Sequence, residues 1–447
     1  MRFFGTARRV SNTISTDGFV TEAFAACLPG LEPLLLRELN CAGVVSPVSV
    51  PGGATFQANT ELLMRCGLWL GTSSHLSIRI AKFHCRTFEH LERASMELPW
   101  VSLLRRDMPL KVVATSKKSK LIHSGAISER VTRSITKTIG TTPQLLASPS
   151  QTPEQGIAGW GRQPKSCVNV RFEGDTCTIS LNCSSDPLWR RGYRLDTAKA
   201  PLREDIAHAL LLQAGVRGPF HRLEKDDSFE ESSISTVLDP MAGSGTIPIE
   251  AAGIMLGLAP GRLRPPPLSH LALFDKELWN KVSNPASTER SQVNRASPAG
   301  IAISASDRDA GAAKSMRANA VRAGVDKSIE FHCTSIKAHP WFSPGRTPPT
   351  GFLVTNPPYG KRIHGKKKSD NAQSAEGRRR RVDPHLPLYQ TLGNCAKLLG
   401  SSWGVSVIVN DPILALKSGI KFQPGFSTRH GGLSVAAMHK LPESLRK

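Results

Sequence analysis

The 447-residue sequence has no run of about 20 apolar residues that could cross a membrane as a helix, and even residues 247–258 stop well short. A soluble chain with no membrane partner is therefore expected. It also lacks any Cys-x-x-Cys pair or a histidine spacing suited to zinc. Its nine cysteines are scattered, so they read as buried free thiols in a reducing compartment and no metal is expected. An apolar block of secretory type is missing from the N-terminus, which argues against export. Acids are scarce too: 36 Asp and Glu stand against 58 Lys and Arg, giving a net charge of +22 and a pI near 10.0. A surplus on that scale points to a polyanionic partner, although a basic surface tuned for solubility or for an organelle interior would show it as well.

The composition that remains, 39% hydrophobic and 21% charged, is that of a chain able to bury a large core. Its length predicts two or three domains at about 150 residues each. Residues 1–20 carry Arg2, Arg8 and Arg9 against the single acid Asp17. That pattern fits a transit peptide for a mitochondrion or plastid, with a disordered basic tail on a cytoplasmic protein as the alternative.

Downstream, Glu32-Pro33 opens an amphipathic helix carrying Leu34, Leu35, Leu36 and Leu39 and stopped at Gly43. Ile127, Val131, Ile135 and Ile139 repeat at helical spacing. Val168, Val170 and Phe172 alternate on one side of Glu173-Gly174-Asp175, and Cys177, Ile179 and Leu181 on the other, which predicts a hairpin. Next comes Trp189-Arg190-Arg191-Gly192-Tyr193-Arg194, where cations interleave with aromatics. It could stack on bases and pair with phosphates, or simply pack as the hairpin's exit.

From Pro201 the pattern changes to helices alternating with short strands, the mark of a parallel α/β sheet. Residues 202–215 read as a helix with Glu204 and Asp205 in its first turn. The strand 236–238 ends at Asp239 and leads through Pro240, Met241, Ala242, Gly243, Ser244, Gly245 and Thr246 into a helix. Glycines at such a turn let a ligand approach the backbone. Pro248 stands where a dinucleotide-binding motif needs its third glycine. A second strand, 301–304, runs into Asp307, placed to accept hydrogen bonds from ribose hydroxyls, and Asp309, placed to cap the next helix.

The most informative segment is the apolar strand 351–355 followed by Asn356-Pro357-Pro358-Tyr359. Two prolines end the strand abruptly, because neither donates to a ladder. They leave the Asn356 carboxamide and the Pro357 carbonyl at the carboxyl edge of the sheet. An exocyclic amine on a base is a poor nucleophile, since its lone pair is delocalised into the ring. Two oxygens that accept both its hydrogens would favour the tetrahedral nitrogen that attacks a methyl donor in line. Tyr359 offers a ring for stacking on an extruded base.

Together these segments resemble the amino-methyltransferase branch of the Rossmann-like methyltransferases. Across residues 24–441 the chain is similar to the THUMP-domain ribosomal RNA guanine-N2-methyltransferases. The likeness rests on Gly30-Leu31-Glu32, Arg190-Arg191-Gly192-Tyr193-Arg194, Ala200-Pro201-Leu202-Arg203-Glu204, Asp239 to Thr246 and Asn356 to Gly360. It implies an α+β ferredoxin-like and THUMP RNA-binding region over 21–195 and an α/β Rossmann-like methyltransferase domain over 196–447. In such a family S-adenosylmethionine lies against Pro201, Glu204, Asp239, Pro240, Gly243, Ser244, Gly245, Thr246 and Asp307, while Asn356, Pro357 and Tyr359 engage the base. The RNA contacts expected are Arg190, Arg191, Tyr193, Arg194, Lys361 and Arg362.

The sequence departs from that pattern twice. Ser335 follows the strand 328–332 where an acid that recognises the donor's adenine is common. A basic insertion over 361–385 adjoins the site and could clamp RNA phosphates. The expected reaction is methylation of a guanine N2 amine, with ribosomal RNA the expected substrate and transfer RNA left open. Alternatives are adenine-N6 or cytosine-N4 methylation, or a catalytically silent RNA-binding or ribosome-assembly protein. No oligomeric state is implied.

Overall fold

The computed structural model describes residues 13–15, 18–140, 164–196, 201–221, 236–284, 301–343, 345–346, 348–359 and 383–445. Nearly all of the expected transit segment, the residues Lys361 and Arg362 and most of the basic insertion lie outside them.

The first sheet is built from β1 (Thr13–Ser15), β2 (Gly18–Cys27), β3 (Val48–Val50), β4 (Gly53–Asn59), β5 (Ser73–His84), β6 (Leu110–Lys117), β7 (Ser166–Glu173) and β8 (Thr176–Asn182). Its order is β3-β4-β2-β5-β8-β7-β6, with β1 paired to β2. Five helices belong to it: α1 (Glu32–Cys41), α2 (Thr60–Trp69), α3 (Phe88–Met96), α4 (Trp100–Leu103) and α5 (Ser124–Ile139). The predicted hairpin is β7–β8, pairing Phe172 with Cys177 around Gly174 at φ 57°. Its alternating apolar residues are all buried. Helix α5 turns Ile127, Val131, Ile135 and Ile139 inward and ends at Gly140, whose φ of 72° suits glycine.

The second sheet follows α6 (Glu204–Ala214) and comprises β9 (Thr236–Asp239), β10 (Ala302–Asp307), β11 (Ile329–Cys333), β12 (Gly351–Thr355), β13 (Trp403–Val409), β14 (Gln423–His430) and β15 (Leu433–Lys440). The helices α7 (Thr246–Met255), α8 (Lys276–Ser283), α9 (Ala310–Ala323), α10 (Leu386–Leu399) and α11 (Pro412–Leu416) connect or flank these strands. The order is β11-β10-β9-β12-β13-β15-β14, parallel from β11 to β13, with β15 antiparallel to both of its neighbours. From β9 the chain builds outward through β10 and β11, then returns to lay β12 on the other side of β9. That reversal opens a crevice at the carboxyl ends of β9 and β12, where ligands of such sheets bind. Strand β14 was not expected, because its polar residues at the sheet edge carry little alternation. Among the described residues no helix is long and apolar enough to cross a membrane.

Buried charges join the two halves, and they correct one expectation. Arg191 is only 2% exposed and Tyr193 is equally enclosed, so neither can meet RNA. The Arg191 guanidinium donates to the Gly71 carbonyl (2.6 Å) and lies 3.4 Å from Glu250 on α7, whose carboxylate also accepts from the Tyr193 hydroxyl (3.0 Å). Burial works against the charge on Glu250, but Arg191 and His208 pull its pKa down to about 2. His208 on α6 then bridges Glu250 and Glu38 of α1, at 3.0 and 3.1 Å. Nearby, Asp205 accepts from both Arg203 and Ser74 of β5. Arg191 and Tyr193 thus serve an internal junction, because their acid partner sits on a helix far along the chain.

Replacing Arg191 with Met should leave Glu250 buried without its counter-ion and destabilise the protein by about 3–5 kcal/mol. Thermal melting measures this, and RNA affinity per folded molecule should not change. A stable variant that binds RNA weakly would return Arg191 to the RNA surface.

Candidate active site

Three strand ends meet at the crevice. Strand β9 is buried throughout and ends at Asp239, whose Oδ1 accepts from the Thr355 hydroxyl of β12 (2.7 Å) and from the Met241 amide (3.1 Å). Burial disfavours the carboxylate, and nearby Asp307 adds repulsion, so the Asp239 pKa is pushed up to about 7. The glycine turn follows. Gly243 and Gly245 adopt φ of 55° and 88°, conformations that favour glycine. A Cβ on Gly245 would come 2.7 Å from Met316 of α9, so this glycine also allows helix packing. A Cβ on Gly243 would meet nothing within 4 Å, which leaves that side of the turn open.

Asp307 ends β10. Its Oδ2 accepts from the Gly243 amide (3.0 Å) and its Oδ1 from the Asp309 amide (2.9 Å). Asp309 caps α9 through the Gly311 and Ala312 amides, as its position suggested. The turn is also tied to β10 by the Ala242 amide donating to the Ser306 carbonyl (2.9 Å) and by the Ser306 hydroxyl donating to the Pro240 carbonyl (3.3 Å). Ser335 is exposed just past β11, while the adjacent Thr334 amide donates to the Asp307 carbonyl (3.0 Å). Ser244 and Thr246 are buried at the start of α7.

Beyond β12, Asn356 is half-buried, Pro357 buried and Pro358 exposed. The Tyr359 hydroxyl donates to Asn356 Oδ1 at 2.6 Å, so the ring leans back on the carboxamide and packs partly against the core. Burial, with Tyr389 nearby, raises the Tyr359 pKa and keeps this hydroxyl a donor.

Glu204 is buried with an oxygen 3.0 Å from Arg194, and burial raises its pKa to about 7. Arg194 is half-buried, donating to the Leu202 carbonyl. Pro201 is half-buried, and Arg190 is exposed with its guanidinium 5.3 Å from the Trp189 ring centre. Two positioning residues escaped notice in the sequence. Thr355 links β12 to Asp239, and fully buried Asn319 of α9 donates to the carbonyls of Ser244 and Asp196, both at 2.9 Å. A polar residue on the inner face of α9 was the only available sign of Asn319.

Comparison with known proteins bears on this geometry. A family model described as an RMKL-like methyltransferase domain matches residues 191–379. A second model, the RlmL ferredoxin-like domain, matches residues 22–76, which run from β2 into β5. The fold is therefore a Rossmann-like methyltransferase domain preceded by a ferredoxin-like domain. The ribosomal RNA large subunit methyltransferase K/L of Syntrophotalea carbinolica is 30% identical over 426 residues, covering 93% of this chain and 53% of that protein. Its namesake in Magnetococcus marinus is 27% identical over 411 residues, covering 89% of this chain and 48% of that protein. The chain thus spans about half the length of these curated relatives. Among solved structures, SMU.472, crystallised in complex with SAH, has a TM-score of 0.71 at 23% identity, over 95% of this chain and 98% of that one. TrmN from Thermus thermophilus has a TM-score of 0.61 at 18% identity, over 94% of this chain and 98% of that one. These two show a shared fold.

A prediction follows from Asp239 in the methyltransferase domain. Its folded pKa, about 7, lies above the ordinary 3.8, so its proton stabilises the fold fully below 3.8 and that stabilisation is lost as pH rises through about 7. Asn at 239 imitates the protonated form at every pH. The melting-temperature gain of Asp239→Asn over the wild type should therefore grow between about pH 4 and pH 7 and then level off. A difference that stays constant with pH would contradict the raised pKa.

Proposed function

We propose that the protein transfers a methyl group from S-adenosylmethionine to the exocyclic N2 amine of a guanine in large-subunit ribosomal RNA. The observation that carries this reading is the emergence of Asn356-Pro357-Pro358-Tyr359 from β12, one strand away from the glycine turn after β9. The names of the curated relatives support the choice of RNA and particle.

The donor suits the residues present, because Gly243 leaves open space above the turn and Asp307 keeps oxygen lone pairs beyond its two backbone bonds. Gly243, Ser244, Gly245 and Asp307 would hold it, with Pro240 and Thr246 shaping the turn and Ser335 facing its base. When bound, the donor supplies a methyl group already activated on a sulfonium, so the chain need provide no strong base.

The chain's own contribution is orientation. An amide oxygen has two lone pairs, so the bond from Tyr359 leaves one on Asn356 Oδ1 for an amine hydrogen. The Pro357 carbonyl accepts the other. Together they hold the amine with its lone pair facing the glycine turn. Tyr359 keeps the carboxamide in place and presents the remainder of its ring to the base. Arg190, with Lys361 and Arg362 of the basic insertion, supplies cations for the RNA backbone. Organelle import draws no support from the bacterial relatives.

The test uses purified protein, ribosomal RNA and radiolabelled donor. Label should appear as N2-methylguanosine. Asn356→Ala should lower turnover about 10²–10³-fold while donor and RNA affinities hold within about threefold. Label in N6-methyladenosine or N4-methylcytosine would replace the target base. Absence of donor binding would leave a silent RNA-binding protein, and equal losses of turnover and RNA affinity would remove Asn356 from catalysis.

A further inference from the structure

The junction between the two halves holds more than an ion-pair chain. Glu38 of α1, His208 of α6 and His221, at the end of a short 3-10 turn (Pro219–His221), bring one donor atom each to within 4.8 Å of one another. The distance from Glu38 Oε1 is 3.1 Å to His208 Nε2 and 3.9 Å to His221 Nε2.

Hydrogen bonding accounts for His208, which as an imidazolium can donate to both Glu250 and Glu38, but not for His221. His208 Nδ1 lies 3.0 Å from Glu250 Oε2, and a carboxylate there makes Nδ1 the protonated nitrogen. The Nε2 atom faces a carboxylate oxygen at 3.1 Å, a contact that needs a cation there, either the second proton of His208 or a metal ion between the two atoms. His221 adds a second ring to the same place. Both of its nitrogens are buried and make no hydrogen bond, an arrangement that costs about 1–3 kcal/mol per unpaired group.

We propose that Glu38, His208 and His221 form a zinc site with a structural role. Two nitrogens and one carboxylate oxygen are a donor set suited to zinc. Tetrahedral zinc, with bonds of about 2.0–2.1 Å, spaces its donors about 3.3 Å apart, so Glu38 and His208 already stand near that spacing and His221 would have to move inward to complete the geometry. The surrounding groups are those a zinc site needs. Glu250 orients His208 from behind, completing a carboxylate–histidine–metal series. Glu38 is fixed by the Gly71 amide (2.9 Å) on Oε1 and by the Thr72 amide (2.8 Å) and hydroxyl on Oε2. Trp69, Phe220 and Leu258 line the small space beside the two histidines. The ion would tie the ferredoxin-like domain to the first helix of the methyltransferase half, away from the glycine turn and Asn356. The sequence hid the site because Glu38 lies far along the chain from His208 and His221, whose own spacing matches no metal motif.

The full-length protein, purified with zinc in the medium and dialysed exhaustively, should retain about one zinc ion per chain by elemental analysis. Stripped protein should bind Co²⁺ with the intense visible bands of tetrahedral coordination, and zinc should raise its melting temperature. His221→Ala should lose the retained zinc, the cobalt bands and the thermal response together. The wild-type titrations stand even where that variant folds poorly. No retained zinc and no cobalt bands would overturn the site and leave His208 as an imidazolium between two carboxylates. Metal binding untouched in a folded His221→Ala would overturn it equally. Neither result bears on methyl transfer, which is measured separately.

Discussion

The structure turns on the hydrogen bond between Thr355 and Asp239. It joins β9 to β12 at the point where the sheet reverses direction, and so joins the glycine turn to the segment that begins at Asn356. A carboxyl group nearly excluded from water is an unfavourable element, as its raised pKa shows. Its presence there is intelligible because both of its bonds position something: Thr355 sets the strand that delivers Asn356, and Met241 sets the turn. Asp307 repeats the pattern one strand away by accepting from the Gly243 amide. Two carboxylates and a threonine hydroxyl thus shape a turn whose glycines leave one side open.

A second constraint lies between the two sheets. Glu38, His208, Glu250 and Arg191 run in one buried line from α1 to the segment before α6. Buried ions contribute little net stability because desolvation offsets their attraction. The observed docking of the halves brings these groups into mutual contact. Asp205 with Arg203 and Ser74 makes a second such pairing. Asn319 and Arg322 extend the junction to the glycine turn by holding residue 196 against α9. The domain that would meet RNA is thereby held in fixed relation to the one that would carry out the chemistry.

Much of this was legible in the sequence wherever the signal is local. The β7–β8 hairpin follows from apolar alternation about Gly174, and the parallel sheet from strand ends at Asp239, Asp307 and Thr355, each followed by a turn and a helix or by prolines. The cap at Asp309 is one residue from its helix. What was hidden depends on partners far apart in the chain. Arg191 and Tyr193 look like an RNA-binding pair until Glu250 is placed beside them. Thr355 looks like the last residue of an apolar strand until β9 lies next to it. Glu38, His208 and His221 share no motif. Strand β14 was missed because a polar edge strand lacks the alternation that marks β7 and β8.

The central claim is spatial: a methyl donor on the glycine turn faces the amine held at Asn356 and Pro357. The most direct measurement is a crystal structure of the protein with S-adenosylhomocysteine. The account predicts the ligand's ribose at Asp307, its amino-acid end against Gly243 to Gly245, and its sulfur turned toward Asn356. Density for the ligand outside this crevice, or a sulfur directed away from Asn356, would contradict it.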